Sequence, residues 1–203
     1  MRKAFVVAVA LLVGFTAACS GGGSSSSTGT TPSTTTTTAS PPASTTTTTA
    51  AIPTSPITIP SKNDGVSADG SGCAPPPGDT LPDGIWFGDL KSVDVSGSTL
   101  SLDLNCFFTG NAANHAASQD GSTDVPVPND YYIRNKVKKV YVLPAVANVA
   151  VFKLSQMGGG PLVNAGNGPA AAAAMLAEFN NSWIGWLQTS GGKVIVVQQQ
   201  FVP

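Results

Sequence analysis

Ile85-Trp86-Phe87-Gly88-Asp89-Leu90-Lys91-Ser92-Val93-Asp94-Val95, followed by Ser96-Gly97-Ser98 and then Thr99-Leu100-Ser101-Leu102-Asp103-Leu104-Asn105, sets the architecture of this chain. Residues 85–95 mix β-branched and aromatic side chains, which suit a pleated, half-buried surface. Beyond the tight Ser-Gly-Ser turn, Leu100, Leu102 and Leu104 alternate with Ser101, Asp103 and Asn105, the period of a strand with one face buried. The two runs make an antiparallel hairpin, and Gly88 marks a bulge or a close backbone approach within it.

The same pattern returns at the far end, where residues 183–189 and 193–202 flank Ser190-Gly191-Gly192 as a second hairpin. Between the two, residues 131–134, 139–143 and 149–154 read as strands, and Pro144, having no N–H to donate, ends one of them. Thr109 is placed to cap a short Ala-rich helix over 110–118. Pro169 fits the first position of a second helix running to Phe179. Residues 118–129 read as loop, as do 158–168. The latter is glycine-rich but lacks the Lys-Ser/Thr and the strand–loop–helix frame of a phosphate cradle. Locally joined strands with two inserted helices predict an α+β domain, an antiparallel curled sheet or small β-barrel over residues 83–203.

Upstream the composition changes. Arg2 and Lys3, an apolar stretch of about a dozen residues and then Thr16-Ala17-Ala18-Cys19 read as a secretory signal over 1–18. The stretch is shorter than the roughly 20 apolar residues a stable membrane span needs. Small residues before Cys19 and Ser20-Gly21-Gly22-Gly23 after it resemble the lipobox of bacterial lipoproteins, although Thr16 stands where that pattern prefers Leu, Val or Ile. The resemblance implies lipid on Cys19 and a chain exported to the outer face of the cytoplasmic membrane, which would be its membrane partner. An ordinary secretory cut near Ala18 is the alternative. Residues 19–61 are almost wholly Ser, Thr, Gly, Pro and Ala, with the runs 34–38 and 45–49. Such a segment buries too little to offset its ordering entropy and is predicted to be a disordered stalk, either O-glycosylated or a plain spacer. Residues 62–82 are an extended lead-in carrying Cys73.

Once the signal is gone, eight basic residues stand against eleven acidic ones, so the charge gives no footprint for nucleic acid. The run Arg134, Lys136, Lys138, Lys139 reads as the solvated face of an edge strand or as a patch for an anionic surface. With Cys19 assigned to lipid, Cys73 and Cys106 remain, and export favours a disulfide between them. A metal site lacks ligands, since the chain has one His and no CxxC. A catalytic thiol is poorly served by the apolar run around Cys106. No cofactor motif is present.

Asn129-Asp130-Tyr131-Tyr132-Ile133-Arg134-Asn135 resembles the NDYYIRN signature of a family of secreted proteins and lipoproteins of Gram-positive bacteria, actinobacteria above all. Asp83-Gly84, Phe87-Gly88, the run before Gly110-Asn111-Ala112-Ala113 and the C-terminal Gln200-Phe201-Val202-Pro203 agree with that family in order. Gln198-Gln199 depart from it, standing where it tends to have acidic residues. The resemblance implies no particular activity. From the residues themselves, Asp130, Tyr131 and Arg134 read as a polar lip around a ligand. The favoured reading is structural, a turn after Pro128 followed by a strand, with Arg134 pairing locally.

Catalytic chemistry finds little. His115 sits mid-helix with no nucleophile motif around it. Asp89, Asp103, Asp130 and Glu178 are the carboxylates a glycan hydrolase would draw on, with two of them facing across a cleft. Asp120-Gly121-Ser122-Thr123-Asp124 is a fragment of a calcium loop or a plain turn. Trp86, Trp183 and Trp186 read as core, with sugar stacking as the alternative. The expectation is a non-enzymatic envelope module that binds a wall component or a protein partner, with a scaffold role second and a glycan hydrolase last.

Overall fold

The computed structural model describes residues 51, 53–74, 76–136, 138–156 and 158–203. The signal, Cys19 and the threonine runs lie outside the described residues.

Among the described residues, eight strands and two α-helices follow one another in the order β1 (Gly84–Asp94), β2 (Thr99–Leu104), β3 (Cys106–Thr109), α1 (Gly110–Gln119), β4 (Tyr131–Arg134), β5 (Val140–Gln156), β6 (Gly159–Asn167), α2 (Pro169–Glu178), β7 (Trp183–Ser190) and β8 (Lys193–Gln199). The main sheet runs β2-β1-β7-β8-β5-β6, and β2 also pairs with β5. That last pairing closes β1, β2, β5, β8 and β7 into a five-stranded barrel, with β6 continuing along the edge of β5 beyond β2. Both predicted hairpins are present, as β1–β2 and β7–β8. The sheet is mixed, because β5 and β8 run parallel while every other pair in it is antiparallel. The small α+β barrel expected from the sequence is therefore what forms.

Alternation along each strand divides the apolar residues between two cores. Trp86 and Leu90 of β1, Leu100, Leu102 and Leu104 of β2, and Trp183 and Leu187 of β7 fill the barrel, and α2 lays Ala172, Met175 and Leu176 against the same interior. Phe87, Trp186, Ala150, Phe152 and Val196 face outward into a second core, covered by Ile57 and by Phe107 of β3. Gly88 is required where β1 meets β2, since a Cβ there would overlap the carbonyl of Asp103. Gly185 is required in turn, because a Cβ would overlap both the Gln198 carbonyl and the Trp183 ring.

Two local expectations change, and one strand is added. Pro144 lies inside β5 rather than ending it. Ala145 donates its N–H to Ser98 at 2.8 Å, so by alternation the nitrogen of Pro144 points away from β2 and forfeits no bond to that strand. Residues 159–167 form strand β6 rather than loop, paired to β5 through two register shifts. The strand β3 lies beyond the break at Asn105 and pairs with β4 in a separate two-stranded sheet.

The folded body also begins earlier than position 62. Ile57 is buried and donates its N–H to Oε1 of Gln198 at 2.5 Å. From there residues 57–73 lie as a strap over the outer core. Gly70 donates to Pro60, and Ser71 donates to Ile85 while accepting from its N–H. The strap ends in the Cys73–Cys106 disulfide, which ties it to β3.

Candidate functional site

Asn129 and Asp130 adopt left-handed backbone, with φ of 60° and 58°, at the turn entering β4. Asn and Asp are the non-glycine residues that tolerate this region best, so the turn chemistry read from Pro128-Asn129-Asp130 is realised. Beyond the turn, β4 alternates. Tyr131 and Ile133 face the outer core, and the Tyr131 ring stacks on Phe107 with centroids 5.8 Å apart and planes 13° from parallel. Tyr132 packs on the other side, with Phe108 and the alanines of α1.

Arg134 shares the face of Tyr132. Its Nε donates to Oδ2 of Asp120 at 2.6 Å, its Nη2 donates to the Ala116 carbonyl at 2.7 Å, and its guanidinium lies over the Phe108 ring. Lys136 meets the other oxygen of Asp120 at 2.5 Å. The Lys136 ammonium above all, with Arg134 behind it, holds the Asp120 carboxyl below its ordinary range, against the opposing effect of burial. Burial first, and then Asp120, pushes the Tyr132 phenol up. This cluster fastens β4 to the C-terminal end of α1. It gives the calcium-loop fragment at Asp120 a structural use and takes Arg134 away from the ligand lip.

Asp130 and Tyr131 do line a common concavity. One compartment, of about 280 Å³, lies between the strap and the first turn of α1, walled by Ser61, Asn63, Ser67, Asp69, Asn111 and Asp130. The second, of about 480 Å³, is lined by Phe107, Asn129, Tyr131, Gln200 and Phe201. Thr109 and Asp130 line both, so the two compartments of this groove, one polar and one aromatic, adjoin at those residues. Such a combination of apolar faces with a few convergent polar groups is how small-molecule sites are built.

Asp69 anchors the polar half. Its Oδ2 accepts from the Thr109 hydroxyl at 2.8 Å, its Oδ1 accepts from the Lys62 N–H at 3.2 Å, and its own N–H donates to the Phe107 carbonyl at 2.8 Å. Thr109 stands at the N-cap position of α1 as expected, but its hydroxyl serves Asp69 and makes no cap bond. Asp69, Thr109 and Phe201 were not singled out as site residues from the sequence. Their partners are far along the chain, forty residues away in the case of Asp69 and Thr109.

The remaining candidates are elsewhere. Trp86, Trp183 and Trp186 are buried, and the indoles of Trp86 and Trp186 donate inward to Pro82 and Gln200. His115 is exposed on α1. Asp89 and Asp103 are cross-strand partners, but Lys91 bridges them at 3.5 and 3.6 Å, and neither lines the groove. Glu178 pairs with Lys153 at 2.6 Å. Asp130 stands at the turn into β4, in the separate two-stranded sheet. Among the described residues, no group of three or more His, Cys, Asp or Glu gathers as a metal site requires. Gln198, Gln199 and Gln200 each accept a hydrogen bond, from Ile57 N–H, Leu154 N–H and Trp186 Nε1 respectively, a role that a side-chain amide fills without bringing a charge into the outer core.

The chain matches no protein family model, no curated protein and no solved structure.

Proposed function

We propose that this chain is an exported, lipid-tethered envelope protein whose domain binds a saccharide of the cell wall and does not transform it. The observation that carries this reading is the groove at Asp130 and Tyr131, in which a polar wall and aromatic side chains meet at Thr109. A sugar ring offers hydroxyls at its rim and an apolar face, which Asn, Ser and Asp side chains and aromatic rings complement. The resemblance around residues 129–135 and the lipobox-like residues before Cys19 support this reading, with residues 19–61 as the stalk.

A hydrolase is less well supported. Of the carboxylates it would draw on, Asp89 and Asp103 share Lys91 and line neither half of the groove, Glu178 pairs with Lys153, and Asp130 alone reaches the groove. A scaffold role rests on Val140 and Val142, exposed on the outer face of β5.

The test is sedimentation of the full chain, carrying Cys19→Ala, with purified cell walls. The unaltered groove is expected to carry the protein into the pellet, and Tyr131→Ala with Phe201→Ala to leave it in the supernatant. Equal sedimentation of both proteins, or of neither, sinks the groove as the binding site. Intact mass of the membrane-extracted protein tests the tether separately, through an acyl-sized increment that Cys19→Ala removes.

A further inference from the structure

We infer that the groove takes an amino sugar with a free amine, the ammonium lying at the Asp69–Asp130 wall and the ring against Tyr131 and Phe201. This rests on the groove reading above and adds to it the charge class of the ligand.

The charge of the groove is one-sided. Asp69 and Asp130 both line its polar half, and no Lys, Arg or His lines either half. The basic side chains near other carboxylates are committed there: Lys91 to Asp89 and Asp103, Arg134 and Lys136 to Asp120, Lys139 to Asp79, Lys153 to Glu178. Among the described residues, neither Asp69 nor Asp130 has a cationic nitrogen within 4.0 Å.

Asp69 makes the imbalance costly, since it is only 8% exposed. Its two oxygens are held by the Lys62 N–H and the Thr109 hydroxyl, which orient the carboxylate but carry no charge. Burying a carboxylate without an opposite charge is unfavourable even when hydrogen bonds hold it. The first turn of α1 offsets about half of one charge, against two carboxylates. The polar half therefore repels phosphate and carboxylate ligands and attracts an ammonium.

The aromatic half specifies the rest of the ligand. Tyr131 and the partly exposed Phe201 offer faces that pack against the apolar side of a ring and also attract a cation. Asn63, Ser67 and Asn111 supply uncharged donors and acceptors for hydroxyls. A flat apolar face, several hydroxyls and one ammonium together describe an unacylated amino sugar.

Calorimetric titration of the full chain carrying Cys19→Ala tests this with three probes of equal length: oligomers of glucosamine, of N-acetylglucosamine and of glucuronic acid. The glucosamine oligomer is expected to bind about tenfold more tightly than its N-acetylated counterpart at low salt. That advantage should shrink as salt is raised, because salt screens charge but not stacking. The glucuronic acid oligomer should not bind. Asp130→Asn, which keeps a side chain suited to the left-handed turn, should abolish the preference by weakening glucosamine binding more than N-acetylglucosamine binding. Equal affinity for the two glucosamine forms, or equal losses for both in Asp130→Asn, overturns the charge assignment and leaves the saccharide groove standing. Binding of none of the three overturns the groove reading as well.

Discussion

The barrel and the layer laid over it are held together by different physics. Barrel strands β1, β2, β5, β7 and β8 close on an interior of Trp, Leu, Val and Tyr side chains, with α2 adding Met175 and Leu176. The outer layer of strap, β3–β4 and α1 has a thinner apolar component, much of it alanine. It is fastened by particular bonds: the Cys73–Cys106 bridge, the Arg134–Asp120–Lys136 cluster, the Asp69–Thr109 hydrogen bond and the Gln198 acceptor. The groove belongs to this outer layer. A closed barrel tolerates few adjustments, whereas a covering layer pinned at a few points can vary between its pins, and sites favour such segments.

The sharpest way to break the contrast is to cut into the barrel. Trp183→Ala removes a fully buried ring and should lower unfolding free energy by about 3–5 kcal/mol, read by urea titration. Cys73→Ser should come next. Releasing a loop of about 33 residues is worth roughly 3–4 kcal/mol on the chain-entropy model. Its local signature matters more: hydrogen exchange should accelerate at Asp69, Ser71 and β3–β4 while β7 and β8 stay protected. Equal acceleration in the barrel would mean that the two layers are one cooperative unit.

Arg134→Ala should cost about 2 kcal/mol, since Arg134 and Asp120 are mostly buried and the variant leaves Asp120 with Lys136 alone. Acid offers a gentler version of the same cut. The folded state lowers the Asp120 carboxyl below its unfolded value of 3.8, so this cluster stabilises fully above that value. The contribution is then lost as pH falls through the lower folded value. Asp120→Asn should flatten that acid limb in a pH series of melting temperatures, and an unchanged limb would place the acid sensitivity elsewhere. Smallest of all, His115→Ala on the exposed face of α1 should shift stability by under about 0.5 kcal/mol.

How much of this could be read beforehand follows from the range of the forces involved. The hairpins β1–β2 and β7–β8, both helices and the turn into β4 depend on neighbouring residues, and alternation, Pro169 and Pro128-Asn129-Asp130 announced them. The parallel pairing of β5 with β8 and the closure of β2 on β5 join distant segments and leave no local mark. Pro144 looked like a terminus because its missing N–H was counted without knowing which way it faced. Glycines made β6 look like loop, although pairing to β5 overrides their weak propensity. In the groove, Asp130 and Tyr131 were legible from turn and strand chemistry. Asp69 was not, because its role depends on Thr109 and Phe107 arriving from across the chain.

The position of the disulfide has a mechanical consequence. Any pull transmitted from the N-terminal side reaches Ile57 first and peels the strap in order toward Cys73, where the covalent link to β3 stops it. Residues 61–69 lie on the peeled side of that stop, and they form one wall of the groove. Tension would therefore dismantle the polar compartment while the barrel stayed intact, and slackening would let the strap settle back onto it.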